Sequence, residues 1–222
     1  MPLLMCDLDD TLVERPPLFR AWAESFLAER GADPELVDWI VELDHGGHRP
    51  RGDEFLPKLA ARVGYEVDLD QFLLDYNRQF GGSYRLTPEA HSALDRARAA
   101  GWSFAVVTNG PTEMQSHKLA SSGIGDLADA VCISQEVGVS KPDPLIFQTA
   151  AQRAGESLRG AWMIGDNLDA DIAGGAGVGA RTVWVKRDYD PLVYDSDAEP
   201  DHVVSDFPDA VRLVLAASAA GG

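Results

Sequence analysis

Six short apolar runs, mostly separated by helical stretches and interrupted once by a long segment without strand signal, constrain this chain more than any other feature. The runs are Leu3 to Cys6, Trp102 to Val107, Ala130 to Ser134, Ala161 to Ile164, Thr182 to Val185 and His202 to Val204. Turn residues bound them, which is the pattern of buried strands. Pro88 to Ala100 follows Thr87 as an N-cap and stops at Gly101, and Pro144 to Ala154 follows Asp143 and stops at Gly155, so both read as helices with start and stop signals. Strands alternating with helices of this length predict an α/β fold with a doubly wound, mostly parallel sheet and helices on both faces.

From about Glu14 to Arg85 the strand signal vanishes and four helical periods replace it, at Leu18 to Arg30, Pro34 to Leu43, Glu54 to Val63 and Leu69 to Phe80. A shift of this size predicts an inserted helical-bundle domain over 15–85, with the α/β core built from 1–14 and 86–222. Stiff punctuation at Arg15-Pro16-Pro17 and flexible punctuation at Gly81-Gly82-Ser83 would suit a lid that moves on a core.

Composition narrows the function classes. A chain of 222 residues with 45% hydrophobic content can bury a sizeable core, and no apolar run approaches the roughly 20 residues of a spanning helix. A net charge of -17 repels phosphate backbones and anionic lipid, so nucleic acid and membranes are not expected partners. The first residues have no basic region of the signal-peptide kind, and Cys6 and Cys132 lie far apart in apolar runs, so a reducing, cytoplasmic setting is expected. Oligomeric state is open.

In an open α/β sheet the ligand sits beyond the carboxyl ends of the strands. There the chain places Asp7-Leu8-Asp9-Asp10-Thr11, then Thr108-Asn109-Gly110, then Ser140-Lys141-Pro142, and finally Gly165-Asp166-Asn167-Leu168-Asp169-Ala170-Asp171. Carboxylates from two strand ends repel one another unless a cation joins them, and oxygen ligands without histidine or cysteine suit Mg2+. A compact ammonium, Lys141, can balance a carboxylate and a phosphoryl oxygen together. The Thr108 hydroxyl and the amides of Asn109 and Gly110 can donate to the remaining phosphoryl oxygens. The constellation reads as phosphoryl transfer.

In order, strand context and spacing these four segments resemble the motifs of the haloacid dehalogenase (HAD) superfamily, whose Rossmann-like core and helical cap would account for the whole chain. The resemblance implies a phosphatase acting on a small phosphorylated metabolite. Asp7 would be the nucleophile, forming an aspartyl phosphate, and Asp9 the general acid and then the base that activates water. Negative charge around Asp9 would favour its protonated form when substrate is bound. Asp7, Asp166 and the backbone carbonyl of Asp9 would hold Mg2+, with Asp171 orienting that shell or binding through water. Lys141 would position Asp7 and phosphate, and Thr108 with Asn109 would complete the cradle. Asp9 argues against dehalogenation, because a departing halide needs no proton. A nucleoside monophosphate, a sugar phosphate and a phosphorylated acid all remain open as substrates. A phosphomutase, a signalling receiver domain and a non-catalytic metabolite-binding domain are the alternatives. The receiver is opposed by the position of the acidic pair after the first strand and by the insert.

Several features have simpler readings. Asp10 reads as a loop cap and Asp169 as a helix-start carboxylate. Gly175-Ala176-Gly177-Val178-Gly179-Ala180 fits a dinucleotide fingerprint but follows a helix and precedes a strand, the reverse of the required context. Asp169 to Gly174 lacks the later oxygen ligands of a calcium loop. Within the insert, His45, His48, Arg49 and Arg51 gather in one loop, which either reads substrate or is a solvated loop with local ion pairs. Trp22, Phe26 and Trp39 are expected to pack the bundle.

Overall fold

The computed structural model describes residues 1–47, 51–64, 66, 68–188 and 197–219. Six strands form one parallel sheet: β1 (Leu3–Cys6), β2 (Ser103–Thr108), β3 (Ala130–Ile133), β4 (Trp162–Gly165), β5 (Arg181–Val185) and β6 (His202–Val204). Their order is β3-β2-β1-β4-β5-β6. The chain therefore winds outward from β1 on one side, returns, and winds outward on the other. β1 and β4 flank the switch point, where a crevice opens beyond their carboxyl ends.

Period two divides each central strand between two cores. Leu4, Cys6, Phe104, Val106, Trp162 and Ile164 lie on one face, and Leu3, Met5, Ala105, Val107 and Met163 on the other. β1 and β2 are buried along their whole length, so their sequences read as unbroken apolar runs rather than as alternation. Cys6 and Cys132 fall on opposite faces.

The insert holds α1 (Arg15–Glu29), α2 (Val37–Asp44), α3 (Leu56–Val63) and α4 (Leu69–Gly81), and the chain then returns to the core through α5 (Pro88–Ala99). Trp22, Phe26, Phe55, Phe72 and Tyr76 are buried in a cluster continuous with one face of the sheet, while Trp39 is partly buried against it. The predicted boundaries shift for identifiable reasons. α1 begins at Arg15 because Pro16 and Pro17 occupy its first turn, where amide protons have no intrahelical acceptor. The predicted border punctuation is thus part of the helix. Pro34–Leu36 forms a 3-10 turn capped by Asp33 before α2 begins, and a π-helical turn at Arg51–Phe55 precedes α3.

On the core side follow α6 (Thr112–Ser122), α7 (Ile124–Leu127), α8 (Ser134–Val137), α9 (Pro144–Ala154), α10 (Gly174–Gly177) and α11 (Phe207–Ala219). Thr87 and Asp143 accept from the amides of Ala90 and Leu145, as their predicted cap roles require. The Ala-rich C-terminal stretch is helical as far as Ala219, burying Phe207, Ala210, Val211 and Val214. Alanine is the strongest helix former, and an apolar stripe was already present in it. A Cβ on Gly175 would lie 2.8 Å from Met163 Cβ, so this part of the apparent dinucleotide fingerprint serves close helix-sheet packing. Among the described residues no helix is long and apolar enough to cross a membrane.

Candidate active site

The loop after β1 sets the geometry. The Asp7 amide continues the β1-β4 pairing by donating to the Ile164 carbonyl at 3.0 Å. Asp10 then takes a left-handed conformation (φ 57°) and accepts from the Arg15 amide at 2.9 Å, so its carboxylate caps α1.

Asp7, Asp166 and Asp171 bring one carboxylate oxygen each to within 4.8 Å of one another. Lys141 Nζ lies 2.6 Å from Asp7 Oδ1 and 2.7 Å from Asp171 Oδ1, with the lysine only 5% exposed. Burial, reinforced by Asp171 and Asp9 and opposed by Lys141, pushes the Asp7 carboxyl up to about 7. Burial likewise raises Asp166 well above the ordinary carboxylate range, and Asp7, Asp171 and Asp10 add to it. Against burial, Asp171 and Asp7 hold Lys141 more firmly protonated than a free lysine. Two buried carboxylates and the partly buried Asp166, with one ammonium among them, remain short of positive charge, and their all-oxygen donor set fits a hard divalent cation.

The surroundings fix each member. Thr11 Oγ1 donates to Asp166 Oδ1 at 3.2 Å, Trp184 Nε1 to the Asp166 carbonyl at 2.7 Å, and the Asn167 amide to Asp171 Oδ2 at 3.1 Å. Gly165 is required by contact, since a Cβ there would sit 2.2 Å from Asp171 Oδ2. Gly165→Ala should displace Asp171 and lower divalent-ion affinity about tenfold or more. Calorimetric titration with Mg2+ checks this, and wild-type affinity in the variant would refute it.

The residues of the predicted phosphate cradle are each engaged within the protein. Thr108 is 1% exposed and accepts from Gln115 Nε2 at 2.6 Å. Asn109 instead clasps the backbone of Lys141: its Nδ2 donates to the Lys141 carbonyl at 3.1 Å and its Oδ1 accepts the Lys141 amide at 2.9 Å. The Gly110 amide donates to Ser134 Oγ at 2.9 Å rather than being free for a phosphoryl oxygen. Asn109 thus holds the lysine loop against the end of β2, and Gly110 ties that end to Ser134 after β3.

Asp9 points elsewhere. Lys118 Nζ lies 2.8 Å from both of its carboxylate oxygens, Gln115 Nε2 donates at 3.1 Å, and the Tyr84 hydroxyl donates as well. Burial alone would raise its pKa, but Lys118 overrides this and, with Tyr84, holds the carboxyl down at about 2. Asp9 is thus a carboxylate in the substrate-free state. Tyr84, Gln115 and Lys118 were not legible as site residues. The available signal was the spacing of Gln115 and Lys118, which puts both on one face of the helix that follows Thr108-Asn109-Gly110.

Both groups open onto a cavity of about 780 Å³ between the sheet edge and the insert, whose far side includes Arg15, Arg51 and Tyr76. There Asp44, 2% exposed, accepts from Arg15 Nη1 and Nη2 at 2.5 and 2.9 Å and also from Arg51. The two guanidinium groups overcome burial and hold Asp44 below the usual carboxylate range. Arg51 Nη2 also reaches the Tyr76 hydroxyl at 3.0 Å, while its Nη1 is buried with no hydrogen-bond partner among the described residues. His48 and Arg49 lie outside the described residues.

Fold and site together define a doubly wound α/β protein with a carboxylate-lysine centre at its switch point. The family model for haloacid dehalogenase-like hydrolases matches residues 1–179. A phosphoserine phosphatase of Thermus thermophilus is 31% identical, the alignment covering 93% of this chain and 96% of that protein. A glyceraldehyde 3-phosphate phosphatase of Methanopyrus kandleri is also 31% identical, with 92% and 91% covered. A magnesium-bound HAD hydrolase from Bacillus subtilis superposes with a TM-score of 0.78 over 96% of this chain and 98% of its own, and at 22% identity that likeness is one of fold. This chain belongs to the haloacid dehalogenase-like hydrolase family.

Proposed function

We propose that this hydrolase is a Mg2+-dependent phosphatase of a small phosphorylated metabolite, with residues 15–85 acting as a cap over a core of 1–14 and 86–222. The observation that carries the reading is a buried carboxylate, Asp7, paired to Lys141 beside Asp166 and Asp171, with a second carboxylate, Asp9, two residues further on. Full-length relatives named as phosphatases of phosphoserine and of glyceraldehyde 3-phosphate support the substrate class.

In this reading an Asp7 oxygen attacks phosphorus, the bond to the leaving oxygen breaks, and Asp9 supplies that oxygen with a proton. Asp9 then takes a proton from water, whose oxygen attacks the aspartyl phosphate and releases inorganic phosphate with Asp7 restored. The first role needs a protonated Asp9 and the second an ionised one. A phosphate dianion arriving in the cavity raises the pKa of the acid beside it, so substrate itself shifts Asp9 toward the form the first step uses. Lys141 holds Asp7 in place and balances charge on the transferred group. Asp7 and Asp166, with the Asp9 carbonyl, would hold Mg2+, and Asp171 would orient them. The ion supplies a fixed positive charge to the phosphoryl oxygens.

Phosphate release from a panel of phosphorylated metabolites, with and without Mg2+, tests the reading. Release that requires Mg2+ is the expected result. Isomerised product without free phosphate would replace it with the mutase reading. Arg51 lines the cavity and its Nη1 has no hydrogen-bond partner among the described residues, which makes it the described member of the insert loop best placed to meet substrate. Arg51→Ala should change relative kcat/KM across the panel by about tenfold, the worth of one charged hydrogen bond. Unchanged relative rates would remove that role.

A further inference from the structure

We infer that Lys118, assisted by Tyr84 and Gln115, is the positioning residue that aims Asp9 at the leaving oxygen, and that this grip is anchored in the seam between insert and core. The inference rests on the reading of Asp9 as the acid of the first step.

Three donors from two parts of the chain meet on one carboxylate. Lys118 is 5% exposed and its Nζ is equidistant from both Asp9 oxygens, at 2.8 Å each, a symmetric contact that holds the two oxygens toward it. Tyr84 is fully buried and donates to Oδ1, whereas Gln115 donates to Oδ2. The ammonium also lies 5.0 Å from the centre of the Tyr84 ring and 5.9 Å from that of Phe80, so its own position is confined by aromatic faces.

α6 carries this grip on one face and the seam on another. Gln115 and Lys118, one turn apart, reach Asp9. Met114, His117 and Ser121 meet the end of α4: a Cβ on Gly81 would lie 2.8 Å from His117 Cβ, and Ser121 Oγ donates to the Gly81 carbonyl at 2.6 Å. Arg85 ties the returning chain to the same helix, its Nη1 donating to the carbonyls of Gly82, Tyr84 and Ser121. A displacement of α4 relative to the core therefore bears on Tyr84 and α6 together, and both of these hold Asp9. The position of Asp9 is thus tied to the seating of the insert.

A residue that acts through the acid leaves a signature that a residue holding phosphate does not. An alkyl phosphate needs its leaving oxygen protonated, whereas p-nitrophenolate departs as a stabilised anion. The test compares kcat/KM on the best alkyl phosphate of the panel with that on p-nitrophenyl phosphate, for wild type, Asp9→Asn, Lys118→Met, Lys118→Arg and Tyr84→Phe. Asp9→Asn should lower the alkyl value about 100-fold or more and the aryl value far less. Lys118→Met should follow the same pattern with a differential of about tenfold, Lys118→Arg should recover part of it, and Tyr84→Phe should show a smaller differential of the same sign. Equal losses on both esters in the lysine and tyrosine variants, or no loss, with the Asp9→Asn differential intact, would overturn the positioning role and leave the function standing. An Asp9→Asn variant without a differential would overturn the acid assignment and this inference with it. If Lys118→Met does not fold, Lys118→Arg and Tyr84→Phe carry the comparison, because each keeps the packing volume of its site.

Discussion

Asp7→Asn should reduce Mg2+-dependent phosphate release to about one ten-thousandth of wild type or less, in a protein that remains folded. The reason lies in what the substitution leaves unchanged. Asn matches the volume of Asp, and the Asp7 amide still pairs with the Ile164 carbonyl, so β1 and the loop after it keep their course. What is lost is the proposed oxygen nucleophile and one of three carboxylates converging within 4.8 Å. Lys141 keeps Asp171 at 2.7 Å, so the buried ammonium is not orphaned. Removing a carboxylate whose ionisation burial already opposes should leave thermal stability near that of wild type in the absence of metal. Phosphate assays and melting curves run side by side make the comparison, and residual activity above about a tenth of wild type would remove Asp7 from the nucleophile's role.

Much of this centre was legible in the sequence because its parts sit at strand ends. Asp7, Thr108 and Asp166 each directly follow or end an apolar run, and a parallel sheet brings such ends to one edge whatever the rest of the chain does. Lys141 was legible only in that company. The grip on Asp9 was not. Tyr84 lies at the return from the insert and Lys118 on the second turn of a helix, and nothing in a one-dimensional pattern places either beside residue 9. Their convergence depends on the packing of α4 against α6, a long-range contact that helical periodicity does not specify. The same limit applies to Asn109 and Gly110: the sequence marks them as a turn at a strand end, but whether their polar groups face substrate or bond Lys141 and Ser134 depends on where those neighbouring segments lie. The start of α1 lies at Arg15 rather than Leu18 for a local reason, since a proline pair looks like a linker in isolation and like a first helical turn once an acceptor at Asp10 has capped it.

The largest effect on stability is expected from Lys141→Met, and its dependence on pH and metal separates it from an ordinary core substitution. The variant keeps the apolar stem but removes the ammonium that lies 2.6 Å from Asp7 and 2.7 Å from Asp171. Breaking a buried ion pair from one side is destabilising by about 3–5 kcal/mol, because carboxylates are left desolvated and uncompensated. For a chain of this length that is a fall in Tm of about 10 °C. The sign of the pH dependence follows from Asp7, whose carboxyl stands at about 7 in the folded protein against an ordinary value of 3.8. A group raised on folding contributes most below its unfolded pKa, and that contribution is lost as pH rises toward the folded one. Metal-free wild type should therefore lose stability from about pH 4 to pH 7 through this group. Without Lys141 the opposing charge is gone and the Asp7 carboxyl moves higher still. The deficit of the variant relative to wild type should accordingly be small near pH 5, where protonation relieves the cluster, and full near pH 8. A divalent cation supplies the missing charge by another route, so saturating Mg2+ should recover part of the loss at pH 8 while restoring little activity, because Asp7 and the transferred phosphoryl group still lack their ammonium. Melting curves of both proteins at pH 5 and pH 8, with and without Mg2+, provide the measurement. A deficit that is the same at both pH values and indifferent to Mg2+ would mean that Lys141 matters to the fold by packing alone, and that Asp7, Asp166 and Asp171 do not form the charged centre on which the proposed chemistry depends.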